Sequence, residues 1–315
     1  MASSIPMSTK PWHSVRQEIH KEIMNTDILC EIHFPEGQEV LANQCLETAF
    51  ALFRAFEARY SRFKRDNILW QFNQSESMPL DQEFFDILRA AAYFYKQTHG
   101  LFDPSILPVL EQEGYASEPY KQHILREKEF SALTFDTTTR TVQKPKELLI
   151  DLGGIGKGYI VDLVTVFLSK HFDNFLIDAG GDIYARGTNR TENYPYFAVE
   201  VEHPIPGTAP VALLLLCDLA VATSGRNRRH WKKDGTDKHH LIDPRAEKSA
   251  STDYLSVTVI AGSCVAADVL AKILFVAGKE QAPLLAKQFH IPAIFVEDGG
   301  RVSINQYAQP YVWKA

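Results

Sequence analysis

The chain is 315 residues long, with 33 lysines and arginines against 39 aspartates and glutamates; a formal charge of −6 argues against general nucleic-acid binding. No apolar run is long enough to span a membrane, and the opening MASSIPMSTKPWHSVRQEIHKE has neither the apolar core of a signal sequence nor a lipoprotein-type cysteine, so a cytoplasmic protein is expected. Cys30, Cys45, Cys217 and Cys264 lie in or beside apolar sequence without C-x-x-C spacing, which predicts buried free thiols.

Residues 1–20 read as a flexible segment before one domain, 21–315, because no Ser/Gly/Pro-rich linker divides the rest. Glu22–Phe34 alternates loosely and predicts a first strand, with Met24 an ordinary core candidate. Asn43–Tyr60 has helical periodicity and leads into Ser61–Asn67 (SRFKRDN), where Phe63 alone reads as core packing. Asp81–Thr98 predicts an amphipathic helix with Gly100 at its C-terminal cap. Asp103-Pro104 marks a turn, and Leu133–Pro145 predicts two short strands around a Thr-rich turn.

Leu148–Asp162 (LLIDLGGIGKGYIVD) reads as strand, glycine turn and helix. It fails the Walker A pattern, because Asp151 stands at the first glycine and Gly158 at the Ser/Thr; it is one residue short of G-x-G-x-x-G. Two readings stay open: a phosphate cradle using the helix N-terminus and Lys157, or a tight turn with a solvated lysine. Asn174–Ala185 predicts two strands around Gly180-Gly181, with Asp178 and Asp182 as a metal or ribose site or, for Asp182 above all, simple turn formers. Tyr196–Glu202, Val211–Leu216 and Leu219–Thr223 predict strands, the last ending at Thr223-Ser224-Gly225. Arg226, Arg228, Arg229, Lys232, Lys233 and Lys238 form a basic cluster, either a solvated hairpin with a positive face or a steering surface for an anionic dinucleotide or acidic partner. His239 and His240 point to opposite faces in a strand, so only one can face a site. Tyr254–Ala261 predicts a strand, Ser263 an N-cap, and Cys264–Ala277 a helix with Asp268 and Lys272 on one face; Ile291–Phe295 and Arg301–Tyr311 read as closing strands. Mixed strands and helices without a βαβ repeat indicate α+β.

DLGGIGKGY at Asp151–Tyr159, ATSG at Ala222–Gly225 and HLIDP at His240–Pro244 occur in that order, with FLIDAGGDIYARG (Phe175–Gly187) and SCVAADVLAKILFVAG (Ser263–Gly278) between and after them. This ordered set resembles the ApbE family, the FAD:protein FMN transferases, from about Met24 to about Val296. The resemblance implies a T-fold-like architecture of largely antiparallel sheets and packed helices. The activity implied moves FMN from FAD to a Thr or Ser of an acceptor flavoprotein through a phosphoester bond, releasing AMP. It implies Met24, Phe63, Leu101, Phe102, Asp103, Asp151, Lys157, Asp178, Thr223, Ser224 and His240 around the flavin nucleotide. His240 is then the base, with Lys157 and Asp268 supporting the developing charge. A magnesium ion is implied at Gly154, Asp268, Ala271 and the position of Lys272.

The opening segment departs from the exported or lipid-anchored form of many family members, Arg226 stands where an acidic or small residue is more usual, and two site positions depart as well. Met24-Asn25-Thr26 stands for Met-Gly-Thr; asparagine tolerates glycine-like backbone angles, so the turn can survive. Lys272 stands for the metal-binding Thr; a charged lysine offers no acceptor and cannot ligate magnesium, but its ammonium can sit where the metal would, paired with Asp268. Two alternatives follow: an FAD pyrophosphatase giving FMN and AMP, or a non-catalytic FAD-binding protein.

Overall fold

A computed structural model of the protein describes residues 12–115, 129–227 and 229–314. β1 (Trp12–Ile23) and β2 (Thr26–Pro35) form a hairpin, followed by α1 (Glu39–Tyr60) and α2 (Ile68–Gln74). A small sheet joins β3 (Ser77–Pro79), β4 (Thr134–Asp136) and β5 (Thr141–Gln143); α3 (Gln82–Gln97) and α4 (Leu107–Gln112) lie between its strands in sequence. α5 (Gly156–Leu168) leads into β6 (Phe175–Ala179) and β7 (Asp182–Arg186), then a ribbon of β8 (Phe197–Val201) and β9 (Ala212–Leu216), and β10 (Leu219–Gly225). Two short hairpins, β11 (His230–Lys233) with β12 (Thr236–His239) and β13 (Ile242–Asp243) with β14 (Lys248–Ser249), precede β15 (Tyr254–Ala261), α6 (Cys264–Gln288), β16 (Ala293–Glu297) and β17 (Val302–Ile304).

Eight strands make one antiparallel sheet in the order β1-β2-β6-β7-β10-β15-β16-β17. Strand pleating sorts its side chains onto two faces. Ile28, Cys30, Ile32, Ile177, Ala220 and Ala222 pack under α1, α5 and α6. Ile183, Ala185, Val221 and Ile260 meet Phe197, Val199, Leu214 and Leu216 of the β8–β9 ribbon on the other face. Phe50, Phe53, Phe72 and Phe84 are fully enclosed on the helical side, each contributing about 1.5–3 kcal/mol by leaving water. This is the expected α+β arrangement.

Several local expectations change. The first strand is two strands, because Met24 (φ 55°) and Asn25 (φ 51°) both adopt left-handed angles and close a tight hairpin turn. Trp12–Ile23 is therefore paired strand, not part of a flexible segment reaching residue 20; residues 1–11 lie outside the described residues, as does Arg228. His99 (φ 50°) takes the left-handed cap of α3, and Gly100 donates to Tyr95 O at 3.0 Å one residue later. α6 does not end at Ala277 but turns at Gly278 (φ 71°) and resumes to Gln288. Of the expected closing strands, the first forms as β16, whereas only Val302–Ile304 of Arg301–Tyr311 is strand; Cys217 is exposed while the other three cysteines are buried.

Candidate active site

The segment before the glycine turn belongs to no sheet. Ile150 is instead held by the side chain of Asn73, whose Nδ2 donates to Ile150 O (3.0 Å) and whose Oδ1 accepts from Ile150 N–H (2.9 Å). Asp151 N–H donates to Pro104 O at 2.8 Å, which ties the turn to the Phe102-Asp103-Pro104 loop. Gly153, Gly154, Gly156 and Gly158 all keep φ values outside the left-handed region. They are needed for space. A Cβ on Gly154 would sit 3.1 Å from the Phe102 ring, and one on Gly158 would sit 2.6 Å from Cys264 O and 2.7 Å from Val265 Cα. Gly158 thus lets α5 and α6 touch backbone to backbone.

That contact builds a charged cluster. Asp162 of α5 accepts from Cys264 N–H (2.7 Å) and Val265 N–H (2.9 Å), capping α6 together with Ser263 Oγ, which accepts from Ala266 N–H (3.3 Å). Lys157 is ion-paired with Asp182, and Lys272 with Asp268 one turn away on α6. Asp268 Oδ2 also accepts from Gly158 N–H at 3.4 Å, so an internal carboxylate occupies the α5 N-terminus that the sequence offered to a substrate anion. Burial alone would lower the Lys157 ammonium, but Asp182 and Asp268 hold it above its ordinary value. Burial and the neighbouring Asp268 push the Asp182 carboxyl up against the pull of both lysines. Asp182 is therefore a buried counter-ion and not a turn former.

Beside this cluster opens a cleft of about 750 Å³, counting the space continuous with solvent. It brings together Phe63, Leu101, Phe102, Asp103, Asp151, Gly154, His240 and Lys272, all expected from the sequence. It also recruits Arg62, Tyr115 and Arg229, which sequence reasoning did not single out as site residues. Arg62 is buried between the rings of Phe63 (4.5 Å) and Tyr115 (4.6 Å); it donates to Glu111 Oε1 (3.0 Å) and Tyr115 O (2.7 Å) and lies 3.5 Å from Asp151 Oδ1. Its place beside Phe63 in SRF was the available signal. Asp103 accepts from Ser105 N–H (2.7 Å) and Oγ–H (2.6 Å).

His240 is the cleft's titratable centre. Burial, then the charges of Arg229 and Lys272, push its imidazole down to about 3, so it is neutral at pH 7. Its Nδ1 lies 3.3 Å from Arg229 O; a carbonyl only accepts, so Nδ1 carries the proton and Nε2 keeps a free lone pair. His239 points elsewhere, with Nε2 3.0 Å from Ala250 O and its ring against Phe275.

Other expected site residues do not line the cleft. Lys157 and Asp268 stand behind it in the ion-pair cluster, and Ala271 is buried in the core under α6. Met24 is in the β1–β2 turn, where its N–H donates to Glu57 Oε1 (2.9 Å) and its carbonyl accepts from Arg229 (3.4 Å). Asp178 accepts from Gly181 N–H at 2.7 Å in the β6–β7 turn. Thr223 Oγ1 shares a hydrogen with Thr258 Oγ1 (2.8 Å), and Ser224 is buried in β10. Much of the basic segment is tied down by partners, although Lys232 is exposed. Arg226 pairs with Asp298, Lys238 with Glu113 (2.8 Å), and Lys233 donates to Gln112 O; Trp231 Nε1 donates to Glu113 O (2.9 Å) and its ring stacks on Tyr115.

The residues at the expected magnesium position do not fit a divalent ion. The Asp268 carboxylate already holds the Lys272 ammonium and the Gly158 N–H, and among the described residues no group of three or more His, Cys, Asp or Glu side chains could hold a metal. No helix among the described residues is long and apolar enough to cross a membrane.

Comparison with known proteins places the chain in a family. The FAD:protein FMN transferase of Vibrio cholerae is 29% identical over 271 residues, 81% of this chain and 80% of the relative. That of Treponema pallidum is 28% identical over 300 residues, 87% and 83% of the two chains. The solved flavin transferase ApbE from Vibrio cholerae superposes with a TM-score of 0.80 at 25% identity, over 96% of this chain and 100% of the other. The ApbE protein of Thermotoga maritima has the same fold, with a TM-score of 0.82 at 24% identity over 96% and 100%. The sequence profile of the ApbE family matches residues 24–295, and the chain belongs to that family.

Proposed function

We propose that this chain is an FAD:protein FMN transferase, moving FMN from FAD to a Thr or Ser hydroxyl of an acceptor flavoprotein. The relatives carry that name. The observation that carries the reading is His240, a neutral imidazole with a free Nε2, held between Arg229 and Lys272 in a cleft walled by Phe63 and Tyr115. The aromatic wall suits a planar ring system, and the two cations suit a diphosphate.

In the reaction, the acceptor hydroxyl attacks the phosphorus on the FMN side of the diphosphate. A new P–O bond forms to the acceptor, the P–O bond to the AMP phosphate breaks, and AMP leaves with the electron pair. His240 Nε2 takes the hydroxyl proton. Arg229 and Lys272 spread the charge that develops on the phosphoryl oxygens. Lys157 acts at one remove, holding Asp182 beside Asp268. The chain from β1 onward works as one catalytic domain, and four free thiols support a cytoplasmic setting.

The test is incubation with FAD and Thr-containing acceptor peptides, following AMP and peptide mass together. AMP with an FMN-sized mass gain upholds transfer. AMP without modified peptide means FAD hydrolysis, and tight FAD binding with neither product means a flavin binder.

A further inference from the structure

We propose that Lys272 is the cleft's resident cation for the FAD diphosphate, so that this chain binds and turns over FAD without a divalent metal. The inference deepens the FMN-transfer reading and rests on it for its catalytic half.

Lys272 is the one member of the buried ion-pair cluster that also lines the cleft, beside Gly153, Gly154, Arg229 and His240. Its side chain is 16% exposed, whereas that of Asp268 is 2% exposed. An ammonium has three donors. The Asp268 carboxylate takes one and the Asp268 carbonyl, at 3.5 Å, is a poor partner, which leaves donor capacity for a phosphate oxygen. The position is well supported: α6 is capped by Asp162 and Ser263, and Gly158 fixes it against α5.

Charge counting points the same way. The two ion pairs, Lys157–Asp182 and Lys272–Asp268, are each neutral, and the further carboxylate, Asp162, is taken up by the N-terminus of α6. A divalent ion at Asp268 would add two charges to a neutral, buried cluster, displace Lys272 and lose most of its own hydration. A diphosphate approaching from the cleft meets Lys272 and Arg229 with their positive charge already in place. The metal's electrostatic role thus passes to a side chain that is present at every metal concentration.

The experiment measures FAD binding by flavin fluorescence and FMN transfer by peptide mass, in EDTA and in millimolar magnesium. Wild type is expected to give the same affinity and transfer rate, within about twofold, in both. Replacing Lys272 alone would strand a buried carboxylate, so the charge-neutral pair Asp268→Asn with Lys272→Met is the informative variant. Its FAD affinity should fall roughly 10- to 100-fold, the worth of a charge-assisted contact, with no recovery in magnesium. Lys272→Arg should keep most of the affinity. Wild-type binding or transfer that is lost in EDTA and restored by magnesium overturns the proposal, as does wild-type affinity in the double variant. Equal FAD binding in both media with no product, together with weakened binding in the double variant, overturns the transfer reading while upholding Lys272 as the diphosphate's cation.

Discussion

Asn73→Ala should loosen the cleft from behind. Asn73 is 1% exposed and is the hydrogen-bond partner of both Ile150 N–H and Ile150 O, at 2.9 and 3.0 Å. Ile150 is itself fully buried, so truncation leaves a backbone donor and acceptor with no water to replace the amide. Each stranded group costs about 1–3 kcal/mol, and partial relaxation brings the total to about 2–4 kcal/mol. A chain of this size unfolds with an entropy of about 0.7 kcal/mol per kelvin, so the melting midpoint should drop by about 3–6 °C. Because Ile150 precedes Asp151, Gly153 and Gly154 in the cleft wall, FAD affinity should fall as well, although Asn73 does not line the cleft. The assay is thermal and denaturant unfolding together with FAD titration. Asn73→Asp keeps an acceptor for Ile150 N–H but opposes Ile150 O, and should fall at least as far. A change below about 0.5 kcal/mol in Asn73→Ala would refute the claim that this side chain stands in for a sheet neighbour.

Three further outcomes follow from the same structure. His240, pushed down to about 3 in the free protein, should titrate higher once a diphosphate neutralises Arg229 and Lys272; imidazole NMR with and without FAD checks this, and a free-protein midpoint near 6.5 would contradict it. Lys144 is buried with its ammonium 3.3 Å from Asn73 O, and burial lowers it to about 8. The unfolded chain therefore binds the extra proton between about pH 8 and 10.5, stability should rise across that window, and Lys144→Met should flatten the rise in pH-dependent melts. Glu113, against the penalty of burial, is held low by Lys238 and by Ser249 N–H (2.8 Å each). The stability it adds is present above the ordinary carboxylate value and lost as pH falls through its depressed one, so Glu113→Gln should free the β11–β12 hairpin at neutral pH, read as a change in Trp231 fluorescence.

The parts of this molecule visible in the sequence are those with local signatures. Ser263 announced α6, α3 starts after Asp81, which accepts from Phe84 N–H at 2.9 Å, and the strand expected at Tyr196–Glu202 forms as β8 with alternate residues buried. The ordered motifs located Phe63, Phe102, Asp151, His240 and Lys272, which the chain does bring to one cleft. Contacts without local periodicity stayed hidden. Asn73 reaches 77 residues along the chain to Ile150, so an apolar run that looked like a strand is held by a side chain. Asp182 sits in a glycine turn and looks like a turn former until Lys157, 25 residues upstream, is placed against it. Arg62 was signalled only by its place beside Phe63, and Arg229 read as one member of a basic cluster; the partners that fold over them, Tyr115 and the Met24 carbonyl, come from distant segments.

Gly158 has a consequence for how such sequences are searched. A glycine next to a lysine at a helix start is commonly taken as evidence of ligand contact, yet here it works as a spacer between α5, which carries Lys157, and α6, which carries Asp268 and Lys272. Any side chain there would act as a wedge between α5 and α6, driving Lys157 away from Asp268. The two segments, more than a hundred residues apart, can therefore drift in sequence only in concert. In chains of this kind, a change at the last glycine of Gly156-Lys157-Gly158 and a change in the first turns of α6 should be read as one event in the history of the protein, a matter of carpentry before chemistry.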